Sequence, residues 1–381
     1  MTEKTPLFKK NGVQTLVSSL VCIVLGMIIG YLALLIINAE GAGEAIISVI
    51  KDFFNRSSAS MRMKYLGNTL AKTAPLLMCS LSVLFAYKVG LFNIGAAGQY
   101  SLGAAAALFC ALYLDMPWWV CLIAATLAGA LSAAICGALR SYCNVNVVIS
   151  GIMLNWISLY GANMMLALDG VKEPTGKDTI RLALGHKSAV LPTLGLDKLF
   201  NKNQYVTIGI PIAIVLAIVV WVILNKTKLG YELKATGNNL HAAKYCGMKE
   251  NRNIILTMII SGGLAGMGAA LYYLADFEQW NVYASSVPAM GFNGIAAAFL
   301  GGLNPIGAIF SSYFIQHITS GGAYVDLSHY CAQISDFISA MIIYLCGFVL
   351  FFKGTMTKMV DRRIERRIMK EKAQNEKGGN K

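Results

Sequence analysis

Five uncharged amides and three aromatic rings carry most of the chemistry that this sequence offers inside its apolar stretches. Asn93 and Gln99 follow Phe92, Asn155 precedes Trp156, Asn293 follows Phe292, and Asn304 stands just before Pro305. A carboxamide donates and accepts hydrogen bonds without carrying charge, and a ring beside it adds a flat apolar surface. Such pairs suit a neutral solute that bears a ring or several hydroxyls, whereas a carboxylate or a metal ion calls for a fixed charge. Charged residues are nearly absent from the centres of the apolar runs, which weighs against an ion-driven carrier. Each amide also has a plain structural reading as cross-helix packing, worth ~0.6 kcal/mol on average.

Covalent and metal chemistry have no comparable support. The chain has 9 cysteines, most of them inside apolar runs (Cys22, Cys79, Cys110, Cys121, Cys136, Cys143 and Cys346), with no disulfide or ligand spacing. The histidines are scattered, and no phosphate-binding loop, dinucleotide fingerprint or nucleophile elbow occurs. No catalytic residue, metal site or bound cofactor is expected.

A second chemistry-bearing stretch, 228–248, is charged and helix-compatible and lies between two long apolar runs. A polar helix held against a bilayer needs something soluble to dock on. Glu232 precedes Thr236 by four, and Leu233, Leu240 and Ala243 share a rough apolar side. Gly237 is expected to break the helix, with Asn238 and Asn239 able to cap a second one.

The elements that must position these residues are membrane spans. Apolar residues make up 56% of the chain and charged ones only 13%, too little polar surface for a soluble protein of this size. Uncharged runs recur near the ~20 residues that cross the hydrocarbon layer. They predict helices near 16–37, 66–87, 91–112, 118–139, 142–165, 205–225, 254–275 and 333–352. Glycine and proline at 301–305 divide the run between Pro288 and Thr319 into two short pieces, whose exposed peptide groups must be satisfied inside protein. The expectation is therefore an all-α membrane protein of about ten spans. The first run is too long for a signal peptide, lacks a clear cleavage site and is read as a retained helix. Within 40–64, residues 45–50 are expected as a short interfacial helix on the outer face.

Basic residues set the orientation. Lys353, Lys358, Arg362, Arg363, Arg366, Arg367 and Lys370 argue for a cytoplasmic C-terminus, and an even span count puts the N-terminus inside as well. The same parity places 226–253 in the cytoplasm and the loop 166–204 outside, although the latter's lysines alone would not. The net charge of +13 reads as a topology and anionic-lipid signal, with no nucleic-acid partner expected.

Residues 90–99 and 291–298 echo each other, each with Phe-Asn beside glycine and then small residues. In this topology they belong to spans crossing in opposite directions, as in an inverted repeat whose broken segments meet near the membrane midplane.

The chain resembles the permease subunit of an ABC importer, in the group of branched-chain amino acid, ribose-type sugar and nucleoside permeases. Resemblance runs over roughly residues 60–355, a single transmembrane domain to 355 followed by a basic tail, 356–381. The group's coupling-helix pattern appears as Gly230, Lys234, Ala235, Gly237, Asn239, Ala242, Ala243 and Gly247, with Glu232 inside it; lysine at 234 replaces a more frequent arginine and keeps the charge. The Asn-x-Gly-x-x-Gly-Gln signature appears as Asn93, Gly95, Gly98 and Gln99, with Ala97 where glutamate is common. The run 291–302, followed by Asn304, Pro305 and Gly307, looks most like the nucleoside and simple-sugar branch. The resemblance implies a permease of the cytoplasmic membrane, a second and homologous permease, an extracytoplasmic binding lipoprotein, and an ATPase on which ATP and Mg are used. It implies a nucleoside as solute, with a simple sugar as the alternative. A branched-chain amino acid permease, a secondary carrier or channel and a structural membrane protein are the remaining readings.

Overall fold

The computed structural model describes residues 11–325 and parts of 337–369. Every named element is helical, as expected where backbone groups must be satisfied within the segment. In chain order they are α1 (Asn11–Ile37), α2 (Ala42–Lys51), α3 (Ala59–Lys88), α4 (Ala96–Leu112), α5 (Trp118–Cys143), α6 (Val147–Leu166), α7 (Leu182–Gly185), α8 (Leu196–Leu199), α9 (Gly209–Lys226), α10 (Lys228–Asn238), α11 (Leu240–Tyr245), α12 (Glu250–Tyr273), α13 (Ala289–Leu300) and α14 (Pro305–Gly321).

The expectation of about ten spans is corrected. Among the described residues six helices are long and apolar enough to cross a membrane, within α1, α3, α5, α6, α9 and α12. The expected span at 91–112 starts only at Ala96, because 89–95 is a non-helical turn, and it keeps 17 residues. The two pieces on either side of 301–305 are helices of 12 and 17 residues. At 1.5 Å per residue these reach ~18 and ~26 Å, short of a ~30 Å hydrocarbon layer. The expected span 333–352 is described only in part, the tail 356–381 lies largely outside the described residues, and the first ten residues lie wholly outside them. An orientation argued from ten-span parity falls with the count.

Helices α3 and α12 form the centre. Of the most apolar stretch of α3, 89% is buried, against 22% for α1. Helix α12 packs along α5, α3 and α4, brought close by small residues as in other membrane bundles. A Cβ on Gly266 would collide with the Ala125 carbonyl, and one on Gly262 with that of Gly129. The break after α13 is sharp: Gly302 and Leu303 both adopt positive φ (66° and 55°), and Asn304 caps α14 by accepting from the Ile306 N–H at 2.9 Å.

Segment 40–64 holds α2, which buries Ala42, Ala45 and Val49 and packs on α14, where Gly321 meets the Val49 carbonyl. Residues 167–208 and 274–288 fold together as a cap over one end of the bundle. Leu191 N–H bonds the Leu274 carbonyl and Thr179 N–H that of Trp280, both at 2.9 Å. Asn163, at the end of α6, accepts from Trp280 Nε1 at 2.9 Å and donates to the Ala284 carbonyl at 2.8 Å. The opposite end carries α10 and α11.

Candidate functional site

The amides expected along a solute path separate into two groups. Asn93 and Gln99 are fully buried and satisfy each other: Asn93 Nδ2 donates to Gln99 Oε1 at 2.9 Å and Gln99 Nε2 donates to Asn93 Oδ1 at 3.1 Å. Asn93 Nδ2 also reaches Ser261 Oγ of α12 at 2.7 Å, and Ser261 in turn bonds the Ser82 carbonyl of α3 at 2.8 Å. The 89–95 turn thus carries a closed polar knot that ties it to the two central helices. Asn155, on α6, accepts from the Gly98 N–H at 2.7 Å and donates to the Ile94 carbonyl at 3.1 Å, satisfying backbone groups at the start of α4. Ser82 and Ser261 complete the knot; they are unremarkable serines in sequence, and no local spacing pairs them.

The echoed residues on α13 are placed differently. Phe92 and Asn93 stand in the turn, whereas Phe292 and Asn293 stand inside a helix. Phe292 is 41% exposed, and Asn293 is partly exposed. Gly291 sits against Ala97 and Gly98 against Asn155, so α13 and α6 flank the first turn of α4. Trp156 is also exposed and stacks at 6.2 Å on Tyr160. Phe92 instead joins an aromatic cluster with Tyr87 and Phe299. Asn304 is an exposed helix cap and lines a cleft of about 740 Å³ beside α10; the other expected path residues do not line it.

At the other candidate region the chain does form two short helices. The break falls at Asn239, beyond Gly237, because Gly237 is needed for contact: a Cβ there would collide with Val89 at the end of α3. Gly90, facing it with φ 75°, has equally little room. Thr227 caps α10 by accepting from Gly230 N–H at 3.1 Å, and Asn239 caps α11 by accepting from Ala242 N–H at 3.0 Å, each satisfying a donor that the helix start leaves free. Gly230 lies directly on the carbonyl of Ile223 in α9. Thr236 accepts from Asn253 Nδ2 of α12 at 2.8 Å, and Leu233 is fully buried. Helix α10 is therefore braced on α3, α9 and α12 together.

Its other side is open. Tyr231, Leu240 and Tyr245 are 67%, 38% and 94% exposed, and Ala242 and Cys246 are exposed beside them, whereas Ala243 is buried. Leu240 accordingly does not share the buried side of Leu233. Ion pairs stiffen the surface: Glu232 with Lys228 at 3.8 Å and Glu250 with Lys244 at 3.0 Å. Gly247, with φ 78°, ends α11, and a dent of about 390 Å³ follows, lined by Lys228, Tyr231, Glu232, Gly247 and Arg252 among others. Ala235 is partly buried, and Lys234 turns away from this face into the 740 Å³ cleft. Among the described residues no group of three or more histidine, cysteine or acidic side chains could hold a metal ion.

Residues 65–347 match the family described as branched-chain amino acid transport system / permease component. The chain is 32% identical over 347 residues to the guanosine ABC transporter permease protein NupP of Bacillus subtilis, covering 89% of this chain and 95% of that protein. It is 31% identical to the nucleoside ABC transporter permease protein NupB of Lactococcus lactis, over 88% and 91% of the two chains. A glucose ABC transporter permease protein of Haloferax volcanii is 27% identical over 76% of this chain and 77% of its own length. No solved structure matches. The chain belongs to this family of ABC-transporter permeases.

Proposed function

We propose that this permease passes nucleosides, purine nucleosides first among them, through the cytoplasmic membrane in an importer driven by a separate ATPase. The observation that carries the solute class is the likeness to a guanosine permease along nearly the whole of both chains. A simple sugar is the alternative, favoured by the more distant glucose permease. The physical picture agrees with a neutral solute: Phe292 and Trp156 are exposed rings and Asn293 is a partly exposed amide. Stacking on a base and bidentate amide contacts would recognise a purine without fixed charge.

The α10–α11 face is the surface on which the ATPase acts. Its exposed tyrosines are of a residue type that anchors protein contacts, and its bracing on three helices would carry a push into the bundle. The α10 end then faces the cytoplasm, supported by Lys353, which opens the basic run at the end of the chain and lines one cleft with Lys88 and Lys234. The cap, with 166–204, faces the opposite side and would receive solute from an extracytoplasmic binding lipoprotein. A second permease completes the path. The experiment is ATP-dependent uptake of radiolabelled guanosine, adenosine, uridine, ribose and leucine by the assembly in liposomes, with the receptor supplied. Guanosine uptake that ribose does not compete away is the expected result; ribose uptake with no nucleoside signal would overturn the solute.

A further inference from the structure

The cleft beside α10 gathers positive charge from three separate parts of the chain. Lys88 ends α3, Lys234 lies on α10 and Lys353 follows the last apolar run, and all three line the same cavity of about 740 Å³. Lys234 and Lys353 are close enough to Lys88 to repel it. Among the described residues no aspartate or glutamate lines the cavity; the one carboxylate of α10, Glu232, faces the separate dent with Lys228. The N-terminus of α14 also borders it, at Pro305, Ile306 and Gly307, adding the positive end of a helix dipole. Three like charges held together with no counter-charge among the described lining residues raise the free energy of the site until an anion arrives.

The remaining walls are mostly apolar, with Ser19, Asn225, Asn304 and Ser311 as uncharged polar groups among them. Leu20, Ile23, Leu224, Phe310 and Phe314 line the cavity, and Leu20 and Phe310 are 51% and 71% exposed. An opening onto an apolar surface, with cations at its polar end, matches a molecule that has a phosphate at one end and hydrocarbon at the other. Basic pockets between helices at the cytoplasmic surface are where such headgroups bind. We propose that this cleft binds an anionic phospholipid, its phosphate among Lys88, Lys234 and Lys353 and its upper acyl chain along Leu20 and Phe310. Bound there, the lipid links α10 to the end of α3 and to the turn between α13 and α14. The inference rests on the proposed cytoplasmic placement of the α10 end together with the charge and shape of the cleft, and does not depend on the identity of the solute.

The test is native mass spectrometry of the assembled transporter, delipidated and then given dioleoylphosphatidylglycerol, dioleoylphosphatidylcholine or inorganic phosphate. Retention of phosphatidylglycerol is expected to exceed that of phosphatidylcholine and to fall about fivefold for each of Lys88→Gln, Lys234→Gln and Lys353→Gln. The three lysine-to-arginine changes should keep it, as should Lys187→Gln with Lys198→Gln and Lys202→Gln in the cap. Equal retention in the wild type and the glutamine variants overturns the proposal. Displacement by millimolar phosphate as effective as that by the lipid would identify a free-anion site and overturn the lipid assignment. Protection of these lysines from acetylation by the ATPase in lipid-free complex would make the occupant a protein surface, and would overturn it equally.

Discussion

The knot around Asn93 and the pair α10–α11 are both polar segments in an apolar chain, yet they treat their polar groups in opposite ways. In the knot every carboxamide is closed on another side chain, with Asn93, Gln99, Ser82 and Ser261 buried together. In α10–α11 the caps and the Thr236–Asn253 bond use up the inner side, while Tyr231, Tyr245 and Cys246 stand free on the outer one. Polarity in a membrane chain therefore marks two things: a strut where the groups satisfy one another, and a contact surface where they are left open. Asn293, partly exposed on α13, is proposed to belong with the second kind.

Gly237→Val gives the strongest test of the difference, because it forces a side chain into Val89 where α10 meets the end of α3. Overpacking of this kind costs about 1–3 kcal/mol, and uptake is expected to fall about tenfold or more while membrane insertion is kept. Unchanged uptake would show that α10 does not transmit through that contact. Asn93→Leu comes next and should act on stability. It strands the Gln99 carboxamide in the core, both of whose bonds go to Asn93, at a cost of about 1–3 kcal/mol, read as a lower midpoint of thermal denaturation in detergent. Asn293→Ala reverses that pattern, with the midpoint unmoved and the KM for guanosine raised several-fold, about 1 kcal/mol of lost hydrogen bonding. If Asn293→Ala melts early and leaves KM alone, the residue is a strut as well.

The smallest effect concerns the cap. Burial raises the Asp276 carboxyl above its ordinary value, held back by hydrogen bonds from the Leu182 and Ala183 N–H groups and by Arg181. A raised folded value means that this contribution to stability is present in full below the unfolded carboxylate range and is lost as pH rises through the folded value. The protection factors of the cap amides, with the base-catalysed rise of intrinsic exchange divided out, should therefore fall across that window, and Asp276→Asn should flatten the dependence while keeping an oxygen for the Leu182 N–H.

The sequence makes some of this legible. Six spans stand out because an apolar run of full length can do little else, and the break at 301–305 is marked by glycine and proline together. Two helices in 228–248 follow from their polarity and cap residues. The turn at 89–95 is hidden, because the partner that holds Asn93 is Ser261, 168 positions away, and glycine beside apolar residues reads as helix. The fusion of 167–208 with 274–288 is hidden for the same reason, resting on pairs such as Asn163 with Trp280. Gly237 shows how local rules mislead: its missing side chain serves a contact with Val89, and α10 continues through it.

Cys246, exposed at the end of α11, supplies the most direct measurement of whether the outer face is a contact surface. The rate at which a maleimide labels Cys246, read by peptide mass spectrometry, would be compared in the permease assembly with and without its ATPase, using exposed Cys143 as the internal reference. Strong protection of Cys246 by the ATPase, relieved by Tyr245→Asp, is the expected result. Labelling at the same rate in both preparations, from an ATPase shown to be bound, would contradict the account.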